Sequence, residues 1–576
     1  MNPIRHLAGF LRTVEGRTRF WLWVFCWLIC LCVQTGTLGE VNTTERLKAT
    51  RWLWQDVPQA DHSGWMVRGR DGKNFVTYGL GQSLVMLPAD LVAGALERFV
   101  GPPRLKEKLR EFVVAVLTFP PLCATAALMA YLVLLEAGFG RPARLGGALG
   151  LQLASSFLHY SQDHEENSLM VLLGLILIHA ALRWWNTGRS SVLWPAAVAI
   201  GFGFLIRQPF LAVPAGVALA MFGLQCHRRK GLEEISLGVG RLSAGGDEAT
   251  PAEGSGPTTV HGASLEDTPS PTPTSGSPQP VPAPRNWWVA MLILAAGALT
   301  GFAVERIYHH HRFDRWTGTY FSIASEQARQ DNPALPEGWM LMGDFWEGFW
   351  GPLVTPQRSL VMFDPLVLLV PLVLWASAGN LRRRTGWLLA GMFLAFMAQV
   401  VFYARYIAWE GAAAWANRHT LVPVDLAVVL IAALTIEGWR RMPFWGQTLS
   451  ALVVAYSLSV QVASVVYPDA LEGYAAGVVH KPGGIRFERP LWVVGQRFES
   501  VWDGIRGREY PNPDGRPFHR VCLAPAVATR EFPRLAWVAW GGWLGVLGLA
   551  VFAALRLFKT TVGEGQCLPP RSNEAT

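Results

Sequence analysis

Four acidic residues in two segments are the candidates for acid–base chemistry. Glu45 follows the first apolar segment of the chain, and Asp163, Glu165 and Glu166 lie together in Ser-Gln-Asp-His-Glu-Glu-Asn, between two later apolar segments. A carboxylate in such a place can take the proton from an attacking hydroxyl group, position a substrate, or bind a divalent cation through its oxygen atoms. The alternative for each of them is a solvated acid on a helix face or in a short loop.

Three basic residues are the candidates for binding an anionic group. Lys73 ends a Gly-Arg-Asp-Gly-Lys turn, Arg418 lies in an Asn-Arg-His segment, and Arg207 is a lone charge between two apolar segments. A charge at a membrane boundary is costly unless it is paired or binds an anion. The alternatives are a simple turn residue for Lys73 and, for both arginines, side chains that reach the lipid headgroups.

Three consecutive histidines, His309 to His311, with Asp314 nearby, are the candidates for zinc binding. Consecutive histidines cannot easily all reach one ion, and no second cluster has the usual spacing of zinc ligands. We therefore expect no metal site at these residues. The cofactor stays unknown from the sequence, with a divalent cation at the acidic segment as one option.

Composition decides what kind of protein positions these residues. Of the 576 residues, 51% are hydrophobic and 16% are charged, against roughly 25% charged residues in a typical soluble domain. The apolar residues occur in blocks, which excludes a soluble enzyme, a secreted disulfide scaffold and a disordered protein. The net charge of +8 comes from arginines between these blocks, where it sets membrane orientation. We therefore expect a membrane protein with no nucleic-acid partner.

About twelve apolar segments can cross a bilayer as helices of ~20 residues. Their approximate ranges are 20–38, 112–135, 145–158, 169–184, 192–206, 210–224, 287–307, 360–377, 387–403, 421–436, 449–466 and 535–557. A further stretch, 84–100, contains Asp90, Glu97 and Arg98 and predicts a helix along the interface. The sequence therefore predicts an all-α polytopic membrane protein with about 12 transmembrane helices and short helices in its extracytoplasmic loops.

Arginine clusters predict the orientation and the domain limits. With the N-terminus in the cytoplasm, every later cytoplasmic loop is basic, so both termini are expected on the cytoplasmic side of an inner or plasma membrane. The segment 227–286 is rich in Pro, Ser, Thr and Gly and predicts a disordered cytoplasmic linker. It separates an N-terminal membrane half, 1–226, from a C-terminal half, 287–466, which is followed by an outer segment, 467–534, and by a last span and tail, 535–576.

Several short motifs carry a resemblance to a known family. They are the acidic residue after the first span, the turn that ends at Lys73, the segment Tyr-Gly-Leu-Gly-Gln-Ser-Leu that starts at Tyr78, the acidic segment 161–167, and Trp-Glu-Gly followed by Asn-Arg-His and Pro423. Together they resemble the polytopic glycosyltransferases of the GT-C class, which include bacterial relatives of protein O-mannosyltransferases and of the lipid A aminoarabinose transferase. Many members have Asp, often Asp-Glu, where this chain has Thr44 and Glu45, and alignment of the essential residue with Thr44 would imply an altered or inactive enzyme.

The resemblance implies a sugar donor held by a polyprenyl phosphate or diphosphate, and a lipid, glycan or protein acceptor on the extracytoplasmic face. A carboxylate would take the acceptor's proton, cations would stabilise the departing phosphate, and a lipid-facing groove would admit the polyprenyl chain. The implied catalytic residues are Glu45 as the base, with Asp163, Glu165 and Glu166, and the implied substrate or phosphate contacts are Lys73, Tyr78, Arg207 and Arg418. The alternatives are a transporter or lipid flippase, and a non-catalytic membrane protein of GT-C-like fold.

Overall fold

The computed structural model describes residues 12–38, 41–55, 57, 59, 66–226, 287–355, 359–377, 379–409, 411, 415–466, 523–531 and 533–562. The predicted linker, 227–286, lies outside the described residues. So do most of the predicted outer segment, 467–534, and the end of the predicted tail, 563–576.

The described chain is almost entirely helical. Its helices are α1 (Val14–Val33), α2 (Val41–Trp52), α3 (Leu80–Leu96), α4 (Pro103–Ala137), α5 (Arg141–Ala154), α6 (Phe157–Asp163), α7 (Glu166–Thr187), α8 (Trp194–Ile206), α9 (Gln208–Cys226), α10 (Trp287–Phe313), α11 (Tyr320–Asp331), α12 (Phe345–Val354), α13 (Leu360–Phe363), α14 (Val370–Ala376), α15 (Gly379–Tyr403), α16 (Leu421–Gly438), α17 (Phe444–Val466), α18 (Ala524–Glu531) and α19 (Ala536–Val562). The strands β1 (Met66–Arg68) and β2 (Asn74–Val76) form an antiparallel hairpin in which Val67 lies opposite Phe75.

Nine helices within the described ranges are long and apolar enough to cross a bilayer. The chain is therefore an all-α membrane protein, as its composition predicts. These nine helices coincide with nine of the twelve predicted spans. The other three predicted spans, 145–158, 192–206 and 360–377, fold as shorter helices. One of them, α5, has 14 residues, which gives about 21 Å of helix against the ~30 Å of a bilayer core.

Small residues allow the membrane helices to approach closely. A Cβ atom added at Gly297 on α10 would lie 2.2 Å from the Ala197 carbonyl oxygen on α8, and one added at Gly301 would lie 2.4 Å from the Gly201 carbonyl oxygen. Glycines on α9 and α15 make a similar crossing. Because lipid supplies no hydrophobic drive for helix association, such close backbone packing is a main source of stability inside a bilayer.

The stretch 84–100 forms α3 and the turn after it, and its charges are paired. The guanidinium of Arg110 on α4 lies 3.0 Å from the Asp90 carboxylate and 2.6 Å from the Glu97 carboxylate. The indole N–H of Trp54 also donates to Asp90, at 2.6 Å. Because each buried charge has an opposite charge beside it, the hairpin of α3 and α4 accommodates residues that would be costly alone.

Candidate functional site

The chain breaks between α5 and α7, and this break carries the acidic segment. Ser155 and Ser156 separate α5 from the short helix α6. The carboxylate of Asp364 accepts hydrogen bonds from the backbone N–H of Ser156, at 2.7 Å, and from its hydroxyl group, at 2.6 Å. These bonds fix the start of α6, which ends at Asp163.

The residue after α6 is a buried histidine in an unusual backbone conformation. His164 has φ 64°, in the left-handed region that side chains rarely adopt. One ring nitrogen, Nε2, lies 2.5 Å from the side-chain oxygen of Gln34, which directly follows α1. The backbone carbonyl accepts hydrogen bonds from the Thr43 hydroxyl, at 3.0 Å, and from the Gln82 amide, at 2.7 Å. Burial lowers the pKa of His164 to about 4, so the ring is neutral at pH 7.

Ion pairs with arginines hold the two glutamates that follow. The Glu166 carboxylate lies 2.5 Å from the guanidinium of Arg46 on α2 and 3.5 Å from that of Arg207, between α8 and α9. The Glu165 carboxylate pairs with Arg418, which precedes α16. Residues from both halves of the chain therefore meet at the acidic segment. Three guanidinium groups and two carboxylates form one charge cluster there.

Aromatic rings support the arginines of this cluster. The guanidinium of Arg46 lies 4.2 Å from the centre of the Tyr78 ring, and that of Arg207 lies 5.4 Å from the Tyr403 ring. His419 stacks on Tyr403, with ring centres 4.3 Å apart, and its Nδ1 contacts the Arg207 guanidinium. Burial and the neighbouring arginines keep the pKa of His419 well below its usual value. The neutral ring accepts a hydrogen bond from Arg207 and so orients it.

The cluster opens into a cavity of about 1930 Å³ at one end of the bundle. Its charged and polar lining includes Asn42, Arg46, Tyr78, Asp163, Glu166, Arg207, Arg418 and His419. Two apolar surfaces continue from this polar centre. We call the first the α4–α19 wall, lined by Leu105, Leu109, Phe112, Val538, Gly542, Trp543 and Val546, and the second the α8–α15 wall, lined by Leu205, Ile206, Met340, Leu341 and Phe402.

The structure brings most of the sequence-predicted site residues to this cavity. Asp163, Glu166, Tyr78, Arg207 and Arg418 line it. Glu165 lies directly behind the lining, only 1% exposed and paired with Arg418.

Two other predicted site residues are not among the described residues that line the cavity. Glu45 is buried on α2, and its carboxylate lies 3.2 Å from the Lys48 ammonium group. It lies one position before Arg46, so α2 reaches the cluster through the neighbouring side chain. Lys73 is exposed at the end of the β1–β2 turn.

Several residues of the site are absent from the sequence-based prediction, among them Arg46, Asn42 and His419. Arg46 and Asn42 are one helical turn apart on α2 and therefore lie on the same face of that helix. The sequence alone does not distinguish this face from the face that carries Glu45. His419 stands directly after Arg418, inside a motif that the sequence had already singled out. Its contact Arg207 lies about two hundred residues earlier in the chain, so the sequence holds no local signal for its role.

The histidine run and the acidic segment are the places where the sequence offers metal ligands. Within those residues there is no group of three or more His, Cys, Asp or Glu side chains that could hold a metal ion. In the histidine run, His309 is buried and its Nδ1 lies 2.8 Å from the Arg315 carbonyl oxygen, a contact with the backbone.

Comparison with known proteins does not assign this chain to a family. Neither the models of known protein families nor the well-characterised proteins searched include a match to this chain. The fold and the geometry of the cavity are therefore the grounds on which a function can be argued.

Proposed function

We propose that this chain is an integral-membrane glycosyltransferase of GT-C-like fold. It moves a sugar from a polyprenyl-phosphate-linked donor to an acceptor hydroxyl group on the extracytoplasmic face. The observation that carries the proposal is the cavity, in which apolar walls, arginines and a carboxylate are continuous. Each part of the reaction has a counterpart in the cavity. The hydrocarbon chain of the donor matches the apolar walls, its phosphate group matches the arginines, and the acceptor hydroxyl group, which must lose a proton, matches the carboxylate.

The arginines are suited to the departing phosphate. Arg46 and Arg207 share the Glu166 carboxylate and are thereby held side by side, while Arg418 is held by Glu165. A guanidinium group has five N–H donors, more than one ion pair uses, so each arginine can also donate to an anion in the cavity. Charge-assisted hydrogen bonds from fixed guanidinium groups stabilise the negative charge that develops on a leaving phosphate.

Asp163 is the carboxylate that we propose as the base. It lines the cavity and is partly exposed there, whereas Glu165 and Glu166 are buried. As the acceptor oxygen attacks the anomeric carbon, its proton passes to Asp163. The bond from that carbon to the phosphate oxygen breaks, and the polyprenyl phosphate leaves with the bonding electrons. Glu45, the base implied by the family resemblance, is then a residue that supports α2 beside Arg46.

The path of the chain supports twelve crossings. α7 starts beside the cavity at Glu166, and α8 ends beside it at Ile206. The short helix α8 must therefore return the chain across the bundle. The same argument applies to α5, because α4 starts at the cavity and Asp163 is again beside it. It also applies to the segment 360–376, because Leu341 before this segment and Phe402 near the end of α15 both line the cavity. Basic residues lie at the ends of the membrane helices that are opposite to the cavity, and the positive-inside rule assigns these ends to the cytoplasm. These basic residues include Arg17, Arg19, Arg141, Arg144, Arg183, Arg440 and Arg441. The cavity then faces the extracytoplasmic side.

Sugar transfer in reconstituted membranes tests this proposal. Full-length protein in proteoliposomes is supplied with radiolabelled polyprenyl-phosphate sugars and with membranes of the source cell as the acceptor. We expect transfer by the wild type, and a loss of roughly 10²–10⁴-fold in Asp163→Asn, the range typical of a general base. The matched control, Asp331→Asn, alters an exposed acid on α11 and should behave as the wild type.

The outcomes separate the competing assignments. Full activity in Asp163→Asn together with loss in Glu45→Gln would return the role of base to Glu45. A wild type that binds and moves a polyprenyl-phosphate sugar across the bilayer without transferring the sugar would establish a lipid flippase instead.

A further inference from the structure

The two apolar walls of the cavity are built by different helices and border different parts of its polar centre. The α8–α15 wall leads to the arginines, because Ile206 directly precedes Arg207 and Phe402 directly precedes Tyr403. The α4–α19 wall leads to the end of the acidic segment. There the Trp543 indole donates to the backbone oxygen of Cys32 at the end of α1, two residues before the glutamine that contacts His164.

Both walls carry exposed apolar side chains. Leu105, Phe112 and Val538 line the α4–α19 wall, and each is 38% or more exposed. In the α8–α15 wall, Leu341 and Phe402 are 59% and 64% exposed. Exposed tryptophans border each wall, as in the belts that mark membrane interfaces; they are Trp346 and Trp350 on α12, and Trp537 and Trp540 on α19. A hydrocarbon chain can therefore reach either wall sideways from the bilayer.

The cavity is also larger than the site of a typical small-molecule ligand. Its volume of about 1930 Å³ is about twice the upper end of the roughly 300–1,000 Å³ that is usual for a single small-molecule ligand. A polyprenyl-phosphate donor needs only one of the two apolar walls. Its phosphate must meet the arginines, so its chain belongs to the α8–α15 wall, which leaves the α4–α19 wall beside Asp163 for the other substrate.

We infer that the acceptor is a lipid, with its hydrocarbon chain on the α4–α19 wall and its headgroup hydroxyl at Asp163. This inference rests on the proposed function and narrows its acceptor from a lipid, glycan or protein to a lipid. A soluble glycan or a peptide would leave this wall without an apolar partner. The bond that forms is an O-glycosidic bond to the lipid headgroup, and the proton of that hydroxyl goes to Asp163.

Neighbouring residues in each wall provide matched variants. A Cβ atom added at Gly542 or at Gly541 on α19 meets no described atom within 4 Å, but Gly542 lines the cavity and Gly541 does not. In the second wall, Leu341 lines the cavity, and its exposed neighbour Met342 does not. Trp substitutions at Gly542 and Leu341 therefore fill one wall each, with Gly541→Trp and Met342→Trp as controls.

The experiment measures donor binding and sugar transfer separately on full-length protein. With a radiolabelled polyprenyl-phosphate sugar as the probe, we expect Leu341→Trp to weaken donor binding at least tenfold. We expect Gly542→Trp to bind the donor within twofold of the wild type but to transfer its sugar to membrane lipids at least tenfold more slowly. Both controls should match the wild type. Normal transfer by Gly542→Trp, or equal loss of donor binding in both wall variants, would overturn the inference.

The chemical nature of the product gives an independent answer. Mild acid cleaves the remaining sugar–phosphate bond of the donor, whereas an O-glycoside on a lipid survives and extracts into organic solvent. Acid-stable label in the organic phase supports a lipid acceptor. Label in a water-soluble glycan or in protein refutes it and leaves the proposed glycosyltransferase function intact. Absence of both donor binding and label transfer in the wild type would refute the function itself.

Discussion

Removal of the charge of Glu166 should destabilise the protein more than removal of any exposed acid. The side chains of Arg46 and Glu166 are only 5% and 9% exposed and lie 2.5 Å apart. In Glu166→Gln, Arg46 keeps its charge in a buried place without its carboxylate partner. Breaking such a pair costs about 3–5 kcal/mol. Arg207 loses the same partner but keeps its contact with His419. We therefore expect the free energy of unfolding to fall by about 3 kcal/mol, which is about a hundredfold in the unfolding equilibrium constant.

The assay is denaturant unfolding of the detergent-solubilised protein, followed by tryptophan fluorescence. A matched control is Glu326→Gln, which breaks an ion pair with Arg315 whose side chains are 50% and 54% exposed. Exposed pairs contribute about 0–1 kcal/mol. The double variant Arg46→Met with Glu166→Gln removes both charges and should recover part of the loss. Equal effects of the two single Glu→Gln changes, or no recovery in the double variant, would refute the reasoning about the buried pair.

The neutral state of His164 predicts a dependence of stability on pH. Its pKa is about 4 in the folded protein and about 6.5 in an unfolded chain, so the unfolded chain binds the proton first. The free energy of unfolding should therefore fall as pH decreases from 6.5 to 4, by up to about 3 kcal/mol from this group. His164→Gln should flatten this dependence in unfolding curves, and an unchanged dependence would contradict it. At the α8–α10 crossing, Gly301→Leu should cost about 1–3 kcal/mol, because its Cβ would lie 2.4 Å from a carbonyl oxygen. The same change at Gly545, where nothing lies within 4 Å, should cost much less, and equal midpoints would contradict the role of close packing.

Much of the polar centre could be predicted from the sequence, because charged residues at the ends of apolar segments are restricted in where they can lie. Glu165, Glu166 and Arg418 stand next to long apolar runs, and a charge there must either reach water or find a partner. Arg207 interrupts two such runs and has both a carboxylate and a histidine beside it. For these residues, chain position and charge are enough to predict that they share one site.

Other features depend on rotations and distances that a sequence does not contain. Glu45 and Arg46 are adjacent, and only the rotation of α2 about its axis decides that Arg46 lines the cavity. Lys73 belongs to a motif, yet the hairpin holds it at an exposed turn. The predicted span 145–158 ends earlier as a helix, at Ala154, because the chain breaks at Ser155 and Ser156. Asp364, whose carboxylate accepts hydrogen bonds at this break, lies about two hundred residues later in the chain. The two apolar walls combine helices from both halves of the chain, so no single segment predicts them.

The central claim is that the arginine cluster holds the phosphate of a lipid-linked sugar. Equilibrium binding of a radiolabelled polyprenyl-phosphate sugar to the solubilised full-length protein tests it most directly. Each charge-assisted hydrogen bond contributes about 1.5–3 kcal/mol, so we expect Arg207→Ala and Arg418→Ala each to weaken binding by roughly ten- to a hundredfold. Lys73→Ala, at the exposed turn, should bind as the wild type does. Binding unaffected by either arginine substitution, or no binding by the wild type, would contradict the account.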